Sequence, residues 1–151
     1  MRMRSLCRLT AGALAVAVLP LTLGCGDDAG PNGTTIVASW VATSLTAPSQ
    51  PGWGDAISDD GVSVNLTFTA TGTYTFSVAN DDPADPWICP NQATCSWNGT
   101  YATSGNTLTF DQGTADEMSA TFSLSGNNLT VTFSASAQIV DPYRYVFQKT
   151  T

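Results

Sequence analysis

The stretch Val62–Val78, VSVNLTFTATGTYTFSV, decides the fold of this chain. Every second residue from Val62 to Ala70 is apolar, and the same alternation returns from Tyr74 to Val78. A period of two residues is typical of a β-strand with one buried face. Thr71 and Gly72 lie between the two runs and are typical turn residues. The stretch therefore predicts a β-hairpin.

The same pattern extends over the rest of the chain from Ile36 onward. Further alternating runs are joined by turn segments such as Ser104–Asn106 and Ser125–Asn128. With a first strand at Ile36–Leu45 and a last strand at Tyr143–Lys149, the pattern predicts about eight strands and no helix in this region.

Strands that follow one another through short turns favour an antiparallel up-and-down arrangement, and closure into a barrel removes its open edges. An open sandwich with Greek-key connections is the alternative. We therefore predict an all-β barrel of about eight strands. Its predicted inward residues are Leu66, Phe68, Tyr74, Phe76, Tyr101, Phe110, Phe122 and Phe133.

The first 25 residues have the pattern of an export signal. Three arginines precede the apolar run Leu9–Leu23, and Gly24 and Cys25 follow it. This pattern predicts a cleaved, helical signal peptide over residues 1–24. A transmembrane anchor is the less favoured alternative, because a bilayer span needs about 20 apolar residues and Pro20 interrupts this shorter run.

A cysteine directly after a small residue resembles the lipoprotein signals of bacteria, in which that cysteine starts the mature protein and carries the lipid. The Gly, Asp, Asn and Pro residues behind Cys25 cannot form a core, and they predict a flexible tether over residues 25–35. The resemblance implies acylation of Cys25 and attachment to the membrane through that lipid. It also implies the bacterial cell envelope as the location and, since Gly26 rather than an aspartate follows the cysteine, the outer membrane. An ordinary signal peptide that is cut elsewhere and leaves Cys25 free is the alternative.

The charge balance argues against nucleic acid as a partner. Behind the leader the chain has two cations, Arg144 and Lys149, and twelve acids, and therefore a net charge of −10. Phosphates and anionic headgroups are bound by Lys and Arg. We expect no nucleic-acid binding and no adhesion of the domain to anionic lipid.

Cys89 and Cys95 are the two cysteines that remain after Cys25. Because an exported protein meets an oxidising compartment, they are predicted to form a disulfide. A metal site is the alternative, but the chain has no histidine and no further free cysteine to complete a thiolate site.

The sequence predicts no enzyme, no cofactor and no metal. The absence of histidine removes the usual general base near neutral pH and the triads built on it. Adjacent acids such as Asp116 and Glu117 are typical of solvated loops. Calcium stays open as an alternative, because two loop clusters could offer hard oxygens. These clusters are Asp55, Asp59 and Asp60, and Asp81, Asp82 and Asp85.

Several short segments occur in a characteristic order. They are Ser39-Trp40, Phe68–Tyr74, Gly99–Tyr101, Gly105–Phe110 and Leu124–Val131. Their order resembles the lipocalin-like small β-barrels of bacterial lipoproteins, and it covers most of the chain from Ile36 to Lys149. The resemblance implies a lipocalin-like domain over residues 36–151. It also implies a cation–π contact between Arg144 and Trp40.

An eight-stranded barrel either holds one small ligand or fills itself with side chains. The first possibility predicts a binding protein for a small apolar ligand. Its predicted contacts are Trp53 and Trp87 on two long loops and Phe68, Tyr74 and Tyr101 inside the barrel, although each loop tryptophan could simply cap the barrel's end. The second possibility predicts a non-enzymatic structural or protein-interaction module of the cell envelope.

Overall fold

The computed structural model describes residues 35–50, 52–79, 89, 92–134 and 142–151. Within these ranges the chain forms eight strands and one short helix. In chain order they are β1 (Ala38–Thr46), α1 (Ala56–Asp59), β2 (Ser63–Phe68), β3 (Thr73–Ala79), β4 (Thr94–Ser104), β5 (Thr107–Phe110), β6 (Met118–Ser125), β7 (Asn128–Phe133) and β8 (Arg144–Lys149). The proposed signal peptide, Cys25 and the proposed tether up to residue 34 lie outside the described residues.

The strands form one closed antiparallel barrel. Each strand pairs with the next along the chain, and β8 pairs back with β1. The hairpin predicted from Val62–Val78 is β2–β3, in which Leu66 faces Phe76 and Phe68 faces Tyr74. The all-β, up-and-down barrel is therefore confirmed, and the open sandwich is wrong.

The two ends of the barrel differ in their connections. At one end, here called the hairpin end, β2–β3, β4–β5 and β6–β7 are joined by tight turns. Gly72, Gly105 and Gly126 occupy these turns with positive φ angles of 75°, 61° and 58°. Only glycine adopts such angles without a steric cost. The opposite end, the loop end, has the longer connections 47–62, 80–93, 111–117 and 134–143.

The interior carries the side chains that alternation predicted. Six of the eight predicted inward residues are buried, and the other two, Phe76 and Phe133, are partly buried against the same cluster. Trp40 is the largest fully buried side chain. Its indole N–H donates to the carbonyl of Ile36 at 2.8 Å, so the polar group of this buried side chain has a hydrogen-bond partner.

A β-bulge changes the inward face of β1. Trp40 and Ala42 face the interior, but the register against β8 shifts between Ala42 and Ser44, and Leu45 becomes the next buried residue. A bulge inserts one unpaired residue and so reverses the side-chain alternation beyond it. Leu45 is thereby buried completely, where strict alternation would have buried Ser44.

Helix α1 corrects the expectation that no helix follows the leader. Asp55 precedes the helix, and its side chain accepts from the backbone N–H of Ile57 at 3.0 Å. This is the bond of an N-cap, and it stabilises a single turn in a segment that otherwise consists of loop residues. No helix among the described residues is long and apolar enough to cross a membrane.

The contact expected between Arg144 and Trp40 is wrong. In the β1–β8 ladder Trp40 is opposite Lys149, whereas Arg144 is opposite Thr46. The two residues therefore lie five ladder steps apart, about 17 Å along the strands. Arg144 is also exposed, while Trp40 is buried at the hairpin end.

The predicted disulfide is present. Cys89 and Cys95 are bonded, with their Cα atoms 5.5 Å apart. Cys95 lies on β4 opposite Val78, and Cys89 is completely buried. The bond ties the β3–β4 connection to the first half of β4.

Candidate functional site

The barrel interior is not completely filled. A cavity of about 280 Å³ occupies the half of the barrel nearer the loop end. Three of its lining residues are aliphatic or thioether side chains, Leu66, Met118 and Val131. The other eight are aromatic: Tyr74, Phe76, Trp97, Phe110, Phe133, Tyr143, Tyr145 and Phe147.

Most of these rings contact one another, with Tyr145 at the centre. The Tyr145 ring lies 5.8 Å from Phe76, 5.9 Å from Phe133 and 5.6 Å from Phe147, measured between centroids. It is nearly parallel to Phe147, at 12°, and perpendicular to Phe76, at 89°. Phe76 in turn contacts Trp97 at 5.7 Å. Such stacked and edge-on pairs hold each other in place, so the wall is formed before any ligand arrives.

The cavity opens on the side of β4. β4 pairs with β3 from Thr94 to Thr100, but with β5 only from Tyr101 to Ser104. Trp97 shares the inward face of β4 with the buried Tyr101, yet it is 44% exposed. Among the described residues no strand covers its outer side, because β5 ends at Phe110. The Trp97 side chain therefore forms a partly exposed part of the rim.

Asp111 stabilises the position at which β5 separates from β4. Its backbone has a left-handed φ of 51°, and its carboxylate accepts from the N–H of Thr100 and from the Tyr74 hydroxyl, both at 2.9 Å. The carboxylate rests against Gly99, where a Cβ atom would collide with it. Burial and the bond to Asp111 raise the pKa of Tyr74 well above its usual range. Tyr74, a lining residue, is thus held in a fixed position as a neutral donor.

Among the residues that the structure describes, no charged side chain lines the cavity. Its polar groups are the hydroxyls of Tyr74, Tyr143 and Tyr145 and the indole N–H of Trp97. A buried charge without a partner is strongly unfavourable. The cavity is therefore suited to an apolar molecule.

The contact residues predicted from the sequence differ in where they lie relative to the cavity. Tyr74 lines the cavity. Phe68 and Tyr101 lie in the filled half, with their ring centroids 4.7 Å apart, and the Tyr101 hydroxyl donates to the carbonyl of Thr69 at 2.9 Å. Trp53 packs on the lining residue Tyr143 at 5.9 Å and so lies one contact behind the cavity. Trp87 lies outside the described residues.

Six of the described lining residues were not singled out by the sequence, namely Trp97, Met118, Val131, Tyr143, Tyr145 and Phe147. The alternation did indicate the inward face for two of them. Trp97 lies four residues before the buried Tyr101 on β4, and so its side chain is on the same face. Tyr145 likewise lies two residues before the buried Phe147 on β8, on the same face of the strand. The alternation shows which face these side chains take, but not which of them border an unfilled volume.

The acidic side chains at α1 hydrogen-bond to groups of the loop and of β1. Asp55 accepts from the N–H groups of Leu45 and Ile57, and Asp59 accepts from the N–H of Asp55 and the hydroxyl of Ser58. Burial alone would raise the pKa of Asp55, but the hydrogen bonds outweigh it and hold the pKa below its usual value. Within the described ranges, no three potential metal ligands converge. Asp81, Asp82 and Asp85 lie outside these ranges.

Comparison with models of protein families places the chain in a family. The model of a family described as a lipocalin-like domain matches residues 36–131. The match begins just before β1 and ends within β7, and it covers more than half of the chain. A search of the curated proteins finds no similar protein.

Proposed function

Because the chain belongs to the lipocalin-like domain family, we propose that it binds a small apolar ligand inside its barrel, as a lipid-anchored protein of the bacterial cell envelope. The observation that carries the proposal is the aromatic-lined cavity of about 280 Å³. Lipocalin-like domains commonly bind small hydrophobic molecules, and they are typically non-enzymatic. We extend both properties to this chain.

The cavity volume limits the size of the ligand. Ligand pockets in proteins range from about 300 to 1,000 Å³, and an apolar cavity of about 150 Å³ is sufficient for benzene. At about 280 Å³ the cavity is close to the lower limit of the first range. The expected ligand is therefore larger than a single ring and smaller than most drug-sized molecules.

The alternative function, a structural or interaction module, requires a barrel whose interior is filled with side chains. The unfilled half and the partly exposed Trp97 favour binding over that alternative. In a filled barrel, rings such as Phe133 and Tyr145 would have packed against further side chains.

The binding proposal is tested by filling the cavity. Met118 is a partly buried lining residue on β6, and Ser119 beside it is exposed on the outer face. We expect wild-type protein to bind 2-ethylnaphthalene in an isothermal titration. Met118→Trp is expected to weaken this binding at least tenfold, because the indole would occupy the volume. Ser119→Trp, with the same added side chain outside, is the control and should bind as wild type does.

A wild-type protein that does not bind 2-ethylnaphthalene would contradict the proposal. Equal affinity of wild type and Met118→Trp would contradict it as well, since binding would then occur elsewhere. Thermal unfolding of both tryptophan variants verifies that they are folded.

The membrane anchor is supported by the leader pattern that ends at Cys25. A flexible coil of about ten residues behind it would span roughly 18 Å and keep the barrel close to the membrane. Mass spectrometry of protein extracted from bacterial membranes tests this part. The proposal expects a mature N-terminus at Cys25 with added acyl mass, and an unmodified N-terminus would contradict it.

A further inference from the structure

The hydroxyl of Tyr145 is an unused polar group in the apolar cavity. Among the described residues it has no hydrogen-bond partner, whereas no fully buried polar side-chain atom in this part of the chain lacks one. The hydroxyl is therefore not enclosed by protein and can be reached from the cavity that its ring lines. A group of this kind is available to a ligand.

Two other inward tyrosines differ from Tyr145 in this respect. The Tyr74 hydroxyl donates to Asp111, and the Tyr101 hydroxyl donates to the carbonyl of Thr69. Both bonds fasten one part of the barrel to another. Tyr145 has the same chemistry without such a structural bond.

The surroundings of Tyr145 define which ligand group it can recognise. Burial, with a smaller effect from Tyr143, raises the pKa of Tyr145 well above its usual range, so its hydroxyl stays protonated and can donate. None of the described lining residues is cationic, and Arg144, the neighbour along β8, is exposed. A carboxylate or phosphate would thus be buried without a counter-charge, which is costly.

We propose that the cavity selects an uncharged apolar molecule that carries one hydrogen-bond acceptor, and that Tyr145 donates its hydroxyl hydrogen to this acceptor. The inference rests on the proposed function and specifies its ligand class. The ring of Tyr145 is fixed by its contacts with Phe76, Phe133 and Phe147, so the hydroxyl is presented in a defined direction. Flat aromatic probes suit a wall made of these rings.

Three probes with the same naphthalene ring separate the possibilities. They are 2-acetylnaphthalene, which has a neutral acceptor, 2-ethylnaphthalene, which has none, and 2-naphthoate, which is charged. In titrations of the wild-type protein we expect the ketone to bind about fivefold more tightly than the ethyl compound, the value of one ordinary hydrogen bond. We expect 2-naphthoate to bind at least tenfold more weakly than the ketone.

Tyr145→Phe removes the donor and keeps the ring. The variant is expected to bind the ketone and the ethyl compound with nearly equal affinity, and to bind the ethyl compound within about twofold of wild type. Tyr101→Phe is the matched control, because Tyr101 lies in the filled half of the barrel and its hydroxyl donates to the carbonyl of Thr69. It should keep the wild-type preference for the ketone.

The results distinguish this inference from the proposed function. A fivefold preference for the ketone that survives in Tyr145→Phe overturns the inference, as does equally tight binding of 2-naphthoate and the ketone by wild type. The latter comparison needs no variant. In both cases 2-ethylnaphthalene still binds to wild type and binds at least tenfold more weakly to Met118→Trp, so the cavity function stands. Absence of 2-ethylnaphthalene binding to wild type contradicts the proposed function itself.

Discussion

Asp111 and Gly99 form one unit at the point where β5 separates from β4. The carboxylate accepts from Thr100 and Tyr74, and it has room to do so only because residue 99 has no side chain. The unit joins β3, β4 and the end of β5, next to the opening of the cavity. A small glycine in the middle of a strand often marks a close approach of this kind.

Loss of either residue is expected to destabilise the barrel. Asp111→Ala leaves the Thr100 N–H and the Tyr74 hydroxyl without their acceptor, and Gly99→Ala displaces that acceptor. We expect each to reduce the free energy of unfolding by about 1–3 kcal/mol in urea titrations. The double variant should lose less than the sum, because without the carboxylate the methyl group added at position 99 has nothing to collide with.

Gly52→Ala is the control for the glycine substitution. No atom lies within 4 Å of a Cβ built at Gly52, so the change should have little effect. Strictly additive losses in the double variant would contradict the view that Asp111 and Gly99 act together.

Individual residues differ in how far the sequence predicts them. Alternation placed all eight predicted residues on the inward face, because period-two patterning directly determines which face of a strand is buried. The role of Asp111 was not predictable in this way. Its partners Thr100 and Tyr74 are 11 and 37 positions away in the chain, and an aspartate after a strand resembles any turn residue.

The connection between β1 and β2 depends on one carboxylate. Asp55 accepts from Leu45 at the end of β1 and from Ile57 in α1, both at 3.0 Å. It therefore fastens the helix to the strand that precedes it. Trp53, just before this point, packs on Tyr143 at the cavity.

Asp55→Ala should cost about 1 kcal/mol of unfolding free energy at pH 7, the usual value for loss of an N-cap. The folded state lowers the pKa of Asp55 below 3.8, so its stabilising effect is present above that pH and disappears as the pH falls through the folded pKa. Urea titrations from pH 7 to pH 3 should therefore show a constant difference between wild type and variant down to about pH 5, and a shrinking one below about pH 4.

Asp60→Ala serves as the control at the same loop. Asp60 is exposed and makes no hydrogen bond through its carboxylate to the described residues. We expect its removal to change stability little at any pH. A wild-type advantage over Asp55→Ala that grows toward pH 3 would contradict the assigned role.

Strand registers were the least predictable feature at the level of elements. The number of strands and the positions of the hairpins follow from local patterns and turn residues. The bulge near Thr43 does not, since the pairing of β1 with β8 creates it, and these strands are remote in the chain. The same register explains why Arg144 is opposite Thr46 rather than near Trp40.

The whole barrel depends on its last strand. The family match ends at residue 131, yet β8 lies beyond it and pairs with both β7 and β1. β8 also contributes Tyr145 and Phe147 to the cavity. Whether an interior stays partly empty follows from how rings from all strands meet, and therefore could not be predicted from any one segment.

A chain that ends at Pro142 is expected not to form a stable monomer. Without β8 the paired edges of β1 and β7 are exposed, and open strand edges promote aggregation. Size-exclusion chromatography and thermal unfolding compare it with a chain of residues 35–151, which has all eight strands. A monomeric truncated chain with a cooperative transition would contradict this expectation.

The pairing of β1 with β8 also affects when the protein can fold in a cell. Thr43 and the carbonyl of Val146, which it contacts, are 103 positions apart. A ribosome must therefore add about 100 residues after the first strand before that strand meets its second neighbour. The growing chain therefore cannot close its barrel before β8 has been synthesised.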